Sequence, residues 1–370
     1  MLMFTRMEER RPSSLLAYQQ LQGHCVTQGN APTSDIWWQD SDLPSYVLNS
    51  AAGTDPGNGS FSMTGLAKEA ALLHIRARVI VHFFSGYRRT GDLHEVIEQR
   101  TLMDNSTVFV ISVDLCMQRQ HADLATDQAL IWWQTRALEG HILAVGGGPP
   151  CETYTAARYH LIDGEHAPRP LRSADELSGL PALTRRERAQ LWIGDSLIRF
   201  LIRMLITMAR LGLAGFMEHP QYPTWFAARK PASLWSWRAV KLLKGLECCS
   251  IVSFDQCVVG ADACKPTTLL LIRLPHLRQA LLQRGSHGRC NHPKGTHTGL
   301  IGRQSDGSYQ TSRAKVYPPA MNALIGHAML EFADQFAEVD TEDALPPEFE
   351  LFFCNQEYAD ASKIQRDYHG

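Results

Sequence analysis

Five places in the chain carry side chains suited to chemistry. At Gly148-Pro149-Pro150-Cys151 a thiol follows an apolar run and sits on a rigid Pro-Pro turn, which holds it at a sheet edge. Such a thiol is a candidate nucleophile if a positive charge or a helix N-terminus raises its thiolate fraction. A lone cysteine is otherwise most often a buried structural residue. Glu218 ends a second apolar run, where a carboxylate can hold or move a proton. Asp114 ends a third, where an acidic group accepts hydrogen bonds from ribose hydroxyls or caps a loop. Ser85-Gly86 follow a fourth. Cys290, His292 and His297 fall within eight positions and, with Cys257 or Cys264 as a fourth ligand, make a candidate zinc set. Their spacing, C-x-H-x4-H, is not a standard finger, so a loop with polar histidines is the default reading and no metal is assigned.

The elements that must position these residues follow from hydrophobic pattern. Short apolar runs at 79–84, 108–113, 142–145 and 214–217 read as strands, with two later ones at 251–254 and 268–272. Helical spacing covers 92–99, 124–138, 184–211, 233–246 and 319–336. Thr184 and Glu187 form an S/T-x-x-E capping box, Gly212 suits the other end of that helix, and Pro319 opens the last. Near-continuous apolar strands alternating with helices imply an α/β fold, a mostly parallel, doubly wound sheet with helices on both faces. In such sheets the ligand sits beyond the carboxyl ends of the strands. Ser85–Gly86, Asp114, Cys151 and Glu218 all belong there, so they can converge on one crevice.

Composition bounds the rest. A chain of 370 residues with 44% hydrophobic and 20% charged content can bury one large core or two modest ones. A net charge of −2 argues against a globally basic nucleic-acid binder, so any such contact needs a local patch, for which the Arg-rich stretch 158–210 is the candidate. The best membrane-span candidate, 197–213, is interrupted by Arg199, Arg203 and Arg210, so no membrane partner is expected. Arg6, Glu8, Glu9, Arg10 and Arg11 stand where a signal peptide would need apolar residues. Nine scattered cysteines without a CxxC pair suggest free thiols in a reducing intracellular compartment. Residues 1–64 read as a partly irregular extension, with a short helix at 15–21, and Trp37 and Trp38 suited to docking. Residues 66–76 read as helical, 65–340 as the main domain and 341–370 as a polar tail.

The order of the motifs resembles the catalytic core of the cytosine-5 DNA methyltransferase family across 79–333. GGPPC after an apolar strand resembles that family's Pro-Cys loop, and the long helix is followed by GFMEHP, with Glu218 on the family's glutamate and His219-Pro220 replacing its Asn-Val. His82-Phe83-Phe84-Ser85-Gly86 resembles its F-x-G-x-G turn, with Arg88 in place of the second glycine. Asp123-Leu124 resembles the motif whose aspartate lies near the adenine amino group. Gln256 matches the start of Gln-x-Arg-x-Arg without either arginine, and Lys265 and Arg273 lie nearby as substitutes. Asn322-Ala323 matches the last motif, with Met321 replacing its glycine.

The resemblance implies a seven-stranded Rossmann-like methyltransferase sheet with a small target-recognition insert at 274–315. It implies S-adenosylmethionine as cofactor, held by Phe84, Ser85, Gly86, Asp114, Asp123, Pro149 and Asn322. It implies methyl transfer to carbon-5 of a cytosine flipped out of double-stranded DNA, in the nucleus if the source is eukaryotic. Cys151 would be the covalent nucleophile, Glu218 the group on ring nitrogen 3, and Gln256, Lys265 and Arg158 the substrate contacts. Three alternatives stay open: a methyltransferase-like binding module without catalysis, the same chemistry on RNA, and, last, a cysteine hydrolase, which would need a histidine paired with Cys151.

Overall fold

The computed structural model describes residues 78–103, 108–114, 123–160, 168–305 and 308–336. The expected helices at 15–21 and 66–76, Trp37 and Trp38, and the tail lie outside them. Strand β1 (Arg78–Phe83) leads through α1 (Leu93–Met103) to β2 (Val108–Val113), then through α2 (Asp127–Leu138) to β3 (Ile142–Gly147). The long α3 (Arg185–Arg210) precedes β4 (Ala214–Pro220), and α4 (Arg238–Lys244) precedes β5 (Cys249–Asp255). Strand β6 (Pro266–Ile272), α5 (Pro275–Leu282) and α6 (Pro319–Gln335) complete the order.

Among the described residues the sheet has six strands in the order β2-β1-β3-β4-β6-β5. The first four are parallel, while β6 runs antiparallel to both β4 and β5. Each strand alternates its side chains between two hydrophobic clusters, as strand geometry requires. Val81, Val145, Met217 and Leu270 face the cluster built with α2, α3 and α4, whereas Ile80, Ala144, Phe216 and Leu271 face that built with α1, α5 and α6. Both sheet faces are therefore covered, which is why the strands read as unbroken apolar runs.

The start of α3 follows its sequence: Thr184 accepts from the Glu187 amide while the Glu187 carboxylate accepts from the Thr184 amide. Three elements differ from expectation. The helix expected at 233–246 is a short 3-10 turn (Leu234–Ser236) and then α4, because Trp237 between them is extended at φ −62°, ψ 139°. Residues 275–282, expected within the insert, form α5, with Leu277 and Leu281 buried in the second cluster. And β4 does not stop before Glu218: pairing of Glu218, His219 and Pro220 with Leu269, Thr268 and Thr267 of β6 carries the strand past it. Among the described residues no helix is long and apolar enough to cross a membrane.

Candidate functional site

The glycine run ending β3 lets two polar groups close on the Cys151 loop. A Cβ on Gly148 would stand 2.5 Å from the Tyr317 hydroxyl and 2.7 Å from Glu218 Oε2, so only glycine leaves them room. The other carboxylate oxygen, Oε1, accepts from Lys265 Nζ at 3.3 Å and from Gln256 Nε2 at 3.5 Å. Lys265 also donates to the Ala314 carbonyl at 3.0 Å. Cys151, partly exposed, lies within the electrostatic reach of Glu218, Lys265, Glu152 and Lys315, the last two an ion pair at 2.6 Å. The Cys151 thiol, in the loop after β3, and the Glu218 carboxylate, on neighbouring β4, are thus close enough to feel each other's charge, and the Lys265 ammonium that pairs with Glu218 acts on both.

Burial pushes the Cys151 thiol up to about 11; the Lys265 charge pulls it back, and Glu218 and Glu152 push it further up. At neutral pH the resting group is a thiol, because desolvation and the Glu218 and Glu152 carboxylates outweigh the ammonium groups of Lys265 and Lys315. Burial alone would lower Lys265, yet Glu218 and Cys151 hold it above its ordinary value, so it stays charged. Burial, then Glu218 and Cys151, raise the Tyr317 phenol well above its usual range, and its hydroxyl has no hydrogen-bond partner. His219 is driven down to about 3 by burial and by the charges of Lys265 and Arg172. It is a neutral ring packed edge-on to Tyr154, centroids 5.3 Å apart.

A second group of the singled-out residues lies at the tip of β1. Phe84 and Gly86 take left-handed conformations, φ 58° and 67°, the former unusual for a residue with a bulky side chain. The Gly86 amide donates to Asp114 Oδ2 at 2.9 Å, tying the β1 turn to the end of β2. Gly147 makes this turn possible: a Cβ there would stand 2.1 Å from the Phe83 carbonyl oxygen and 3.2 Å from the Phe84 ring. Asn322 pins α6 beside it, donating to the carbonyl of Gly91 at 2.8 Å, while its own Oδ1 is buried without a partner. Arg88 pairs with Asp92 at 2.7 Å.

No protein-family model matches the chain, and no curated protein matches it in sequence.

Other residues singled out from sequence fall elsewhere. Arg158 is not a substrate contact in this arrangement: it is buried, and its guanidinium donates to the carbonyls of Glu152 and Arg169 and to the Gln190 side chain. It braces the loop after Cys151 against α3. Within the Arg-rich stretch, Arg169 pairs with Glu187 and Arg172 with Asp195, each at 2.8 Å. Asp123 caps the turn before α2, its Oδ1 accepting from the Ala125 amide at 3.3 Å. Pro149 is buried under the Cys151 loop. Cys290, His292 and His297 do come together, near Cys257. Sequence reasoning gave Tyr317 no role; the available sign was a tyrosine followed by two prolines, Tyr317-Pro318-Pro319, at a helix start.

Proposed function

We propose that the chain methylates carbon-5 of cytosine in nucleic acid, DNA first, with S-adenosylmethionine as donor, on a seven-stranded, doubly wound methyltransferase sheet. The observation that carries this reading is that Cys151 stands within electrostatic reach of Glu218, the latter gripped by Lys265 and Gln256.

The β1 turn suits the cofactor. Left-handed Phe84 and Gly86 leave the backbone open to close approach, Asp114 stands at the neighbouring strand end, and Asn322 Oδ1 is a buried acceptor lacking a donor. When bound, S-adenosylmethionine supplies an electrophilic methyl group. The Cys151 sulfur gives its proton to the Glu218 carboxylate, with the Lys265 ammonium stabilising the anion, and bonds to carbon-6 of the ring. Glu218 holds or protonates ring nitrogen 3, so that the displaced electron pair collects at carbon-5 without net charge on the ring. After methylation, which leaves the donor a neutral thioether, the carbon-5 proton passes to solvent as the sulfur–carbon-6 bond breaks, and Glu218 returns the nitrogen-3 proton to sulfur, restoring the aromatic ring and the thiol. Lys265 and Gln256 keep Glu218 in one rotamer, and the unpartnered Tyr317 hydroxyl offers a donor beside Gly148.

One observation favours a second reading, a methyltransferase-like binding module without catalysis: the thiol at about 11 is poorly ionised at neutral pH. Transfer of a radiolabelled methyl group to DNA and RNA in parallel separates the readings. Label on DNA, absent with Cys151→Ser, supports the proposal; label on RNA alone moves the substrate; no label on either, with no cofactor binding by calorimetry, leaves the module.

A further inference from the structure

The segment 283–316 has almost nothing apolar to hold it. Among its described residues only Gly288 is buried, and its regular structure is limited to isolated bridges, Ser286 with Arg289 and Arg303 with Tyr309, and a 3-10 turn at Gln310–Lys315. A stretch so poor in core needs another source of order, and small irregular units often take it from a metal. At its base, Cys290, His292 and His297 meet Cys257, which lies in the 3-10 turn after β5; the four ligand atoms fall within 4.8 Å of one another.

The separations among Cys290, His292 and His297 are those of one face of a coordination tetrahedron. Zinc bonds of about 2.3 Å to sulfur and about 2.0–2.1 Å to nitrogen, at tetrahedral angles, place S and N about 3.6 Å apart and N and N about 3.3 Å apart. Cys290 Sγ stands 3.5 Å from His292 Nδ1 and 3.6 Å from His297 Nε2, and the two nitrogens are 3.3 Å apart. The frame around them is tied down independently. The Cys290 amide donates to Asp255 Oδ2 at 2.8 Å, and the Thr298 amide to the Asp262 carbonyl at 2.9 Å. Cys264 lies against the thiols of Cys257 and Cys290.

We propose that Cys257, Cys290, His292 and His297 bind one zinc ion in a closed tetrahedral site that staples the 283–316 segment to the turn after β5. Four protein ligands leave no open position, so the role is structural. The site also sets the frame of the candidate active site: Cys257 follows Gln256, and Cys264 precedes Lys265, the two residues that grip Glu218. The assignment stands on these side chains and does not rest on the methyl-transfer reading.

The test uses the full chain, expressed with zinc and kept reduced. Elemental analysis should find about one zinc per chain, and cobalt(II) loading should give the intense visible bands of a tetrahedral site with sulfur-to-cobalt charge transfer. Cys290→Ser and His297→Ala should each weaken metal binding at least about tenfold. His292→Cys should keep the metal and add charge-transfer intensity, and Cys264→Ser should leave the stoichiometry unchanged. Removing zinc from the wild type should open 283–316 to protease, which checks the role without any variant. Substoichiometric zinc with only the weak spectrum of octahedral cobalt would overturn the site. So would loss of metal in Cys264→Ser with retention in Cys257→Ser, which would refute this ligand set.

Discussion

Removing the Lys265 charge is the sharpest perturbation of the pocket. Lys265 and Glu218 are 14% and 6% exposed and 3.3 Å apart. At an effective dielectric constant of about 20 their gross attraction is about 5 kcal/mol, most of which offsets the cost of burying both charges. Lys265→Met therefore leaves an uncompensated carboxylate and an undonated Ala314 carbonyl, and should cost about 3–5 kcal/mol; Glu218→Gln, stranding the ammonium, should cost a similar amount. The double variant removes both charges together, so its loss should fall short of the sum of the two by about 3 kcal/mol. Urea unfolding of the four proteins, with the slope unchanged, measures this. Additivity within about 0.5 kcal/mol would refute the claim that the two groups form one buried pair.

Three further outcomes follow from the same geometry. A thiol raised from 9.0 to about 11 should be ionised about a hundredfold less at neutral pH, and higher intrinsic nucleophilicity recovers about tenfold. Cys151 should then react with a small neutral disulfide about tenfold more slowly than an exposed cysteine, and slower still in Lys265→Met; peptide mapping reads both, and a fast Cys151 would contradict the pocket's electrostatics. Burial lowers His82 from 6.5 to about 4, and His94 and His219 to about 3. Unfolding therefore takes up protons between these values, and stability, fully present above pH 6.5, should fall by about 1.4 kcal/mol per histidine per pH unit near pH 5; urea midpoints that stay flat from pH 7 to 5 would rule this out. Gly148→Ala should displace Tyr317 and Glu218 and abolish methyl transfer while the fold persists, and full activity in that variant would show that neither group is held as described.

Strands were the most legible part of the sequence, because burial on both faces writes them as unbroken apolar runs such as Val108–Val113. The capping box at Thr184 was equally plain, since both partners lie within one turn. What escaped depends on contacts distant in sequence. The extension of β4 through Glu218 is set by β6, some fifty residues on. Arg158 looked like a surface cation, and only the fold supplies the carbonyls that consume it. Helix α5 was hidden by its length, eight residues giving too few turns to establish a period. Within the site, Cys151 and Glu218 were readable from their places at strand ends. Lys265 was readable only as a nearby cation, and the sign of the thiol's shift was not, because it depends on burial and on how two carboxylates and two ammonium groups are arranged around it.

The most direct test of the central claim is covalent trapping. Nucleic acid carrying 5-fluorocytosine blocks release after methylation, because fluorine replaces the carbon-5 proton that must leave. With S-adenosylmethionine present, the wild-type chain should form a denaturation-resistant adduct whose mapped attachment is Cys151, and Cys151→Ser should form none. No adduct on either DNA or RNA, or an adduct that persists in Cys151→Ser, would contradict the account.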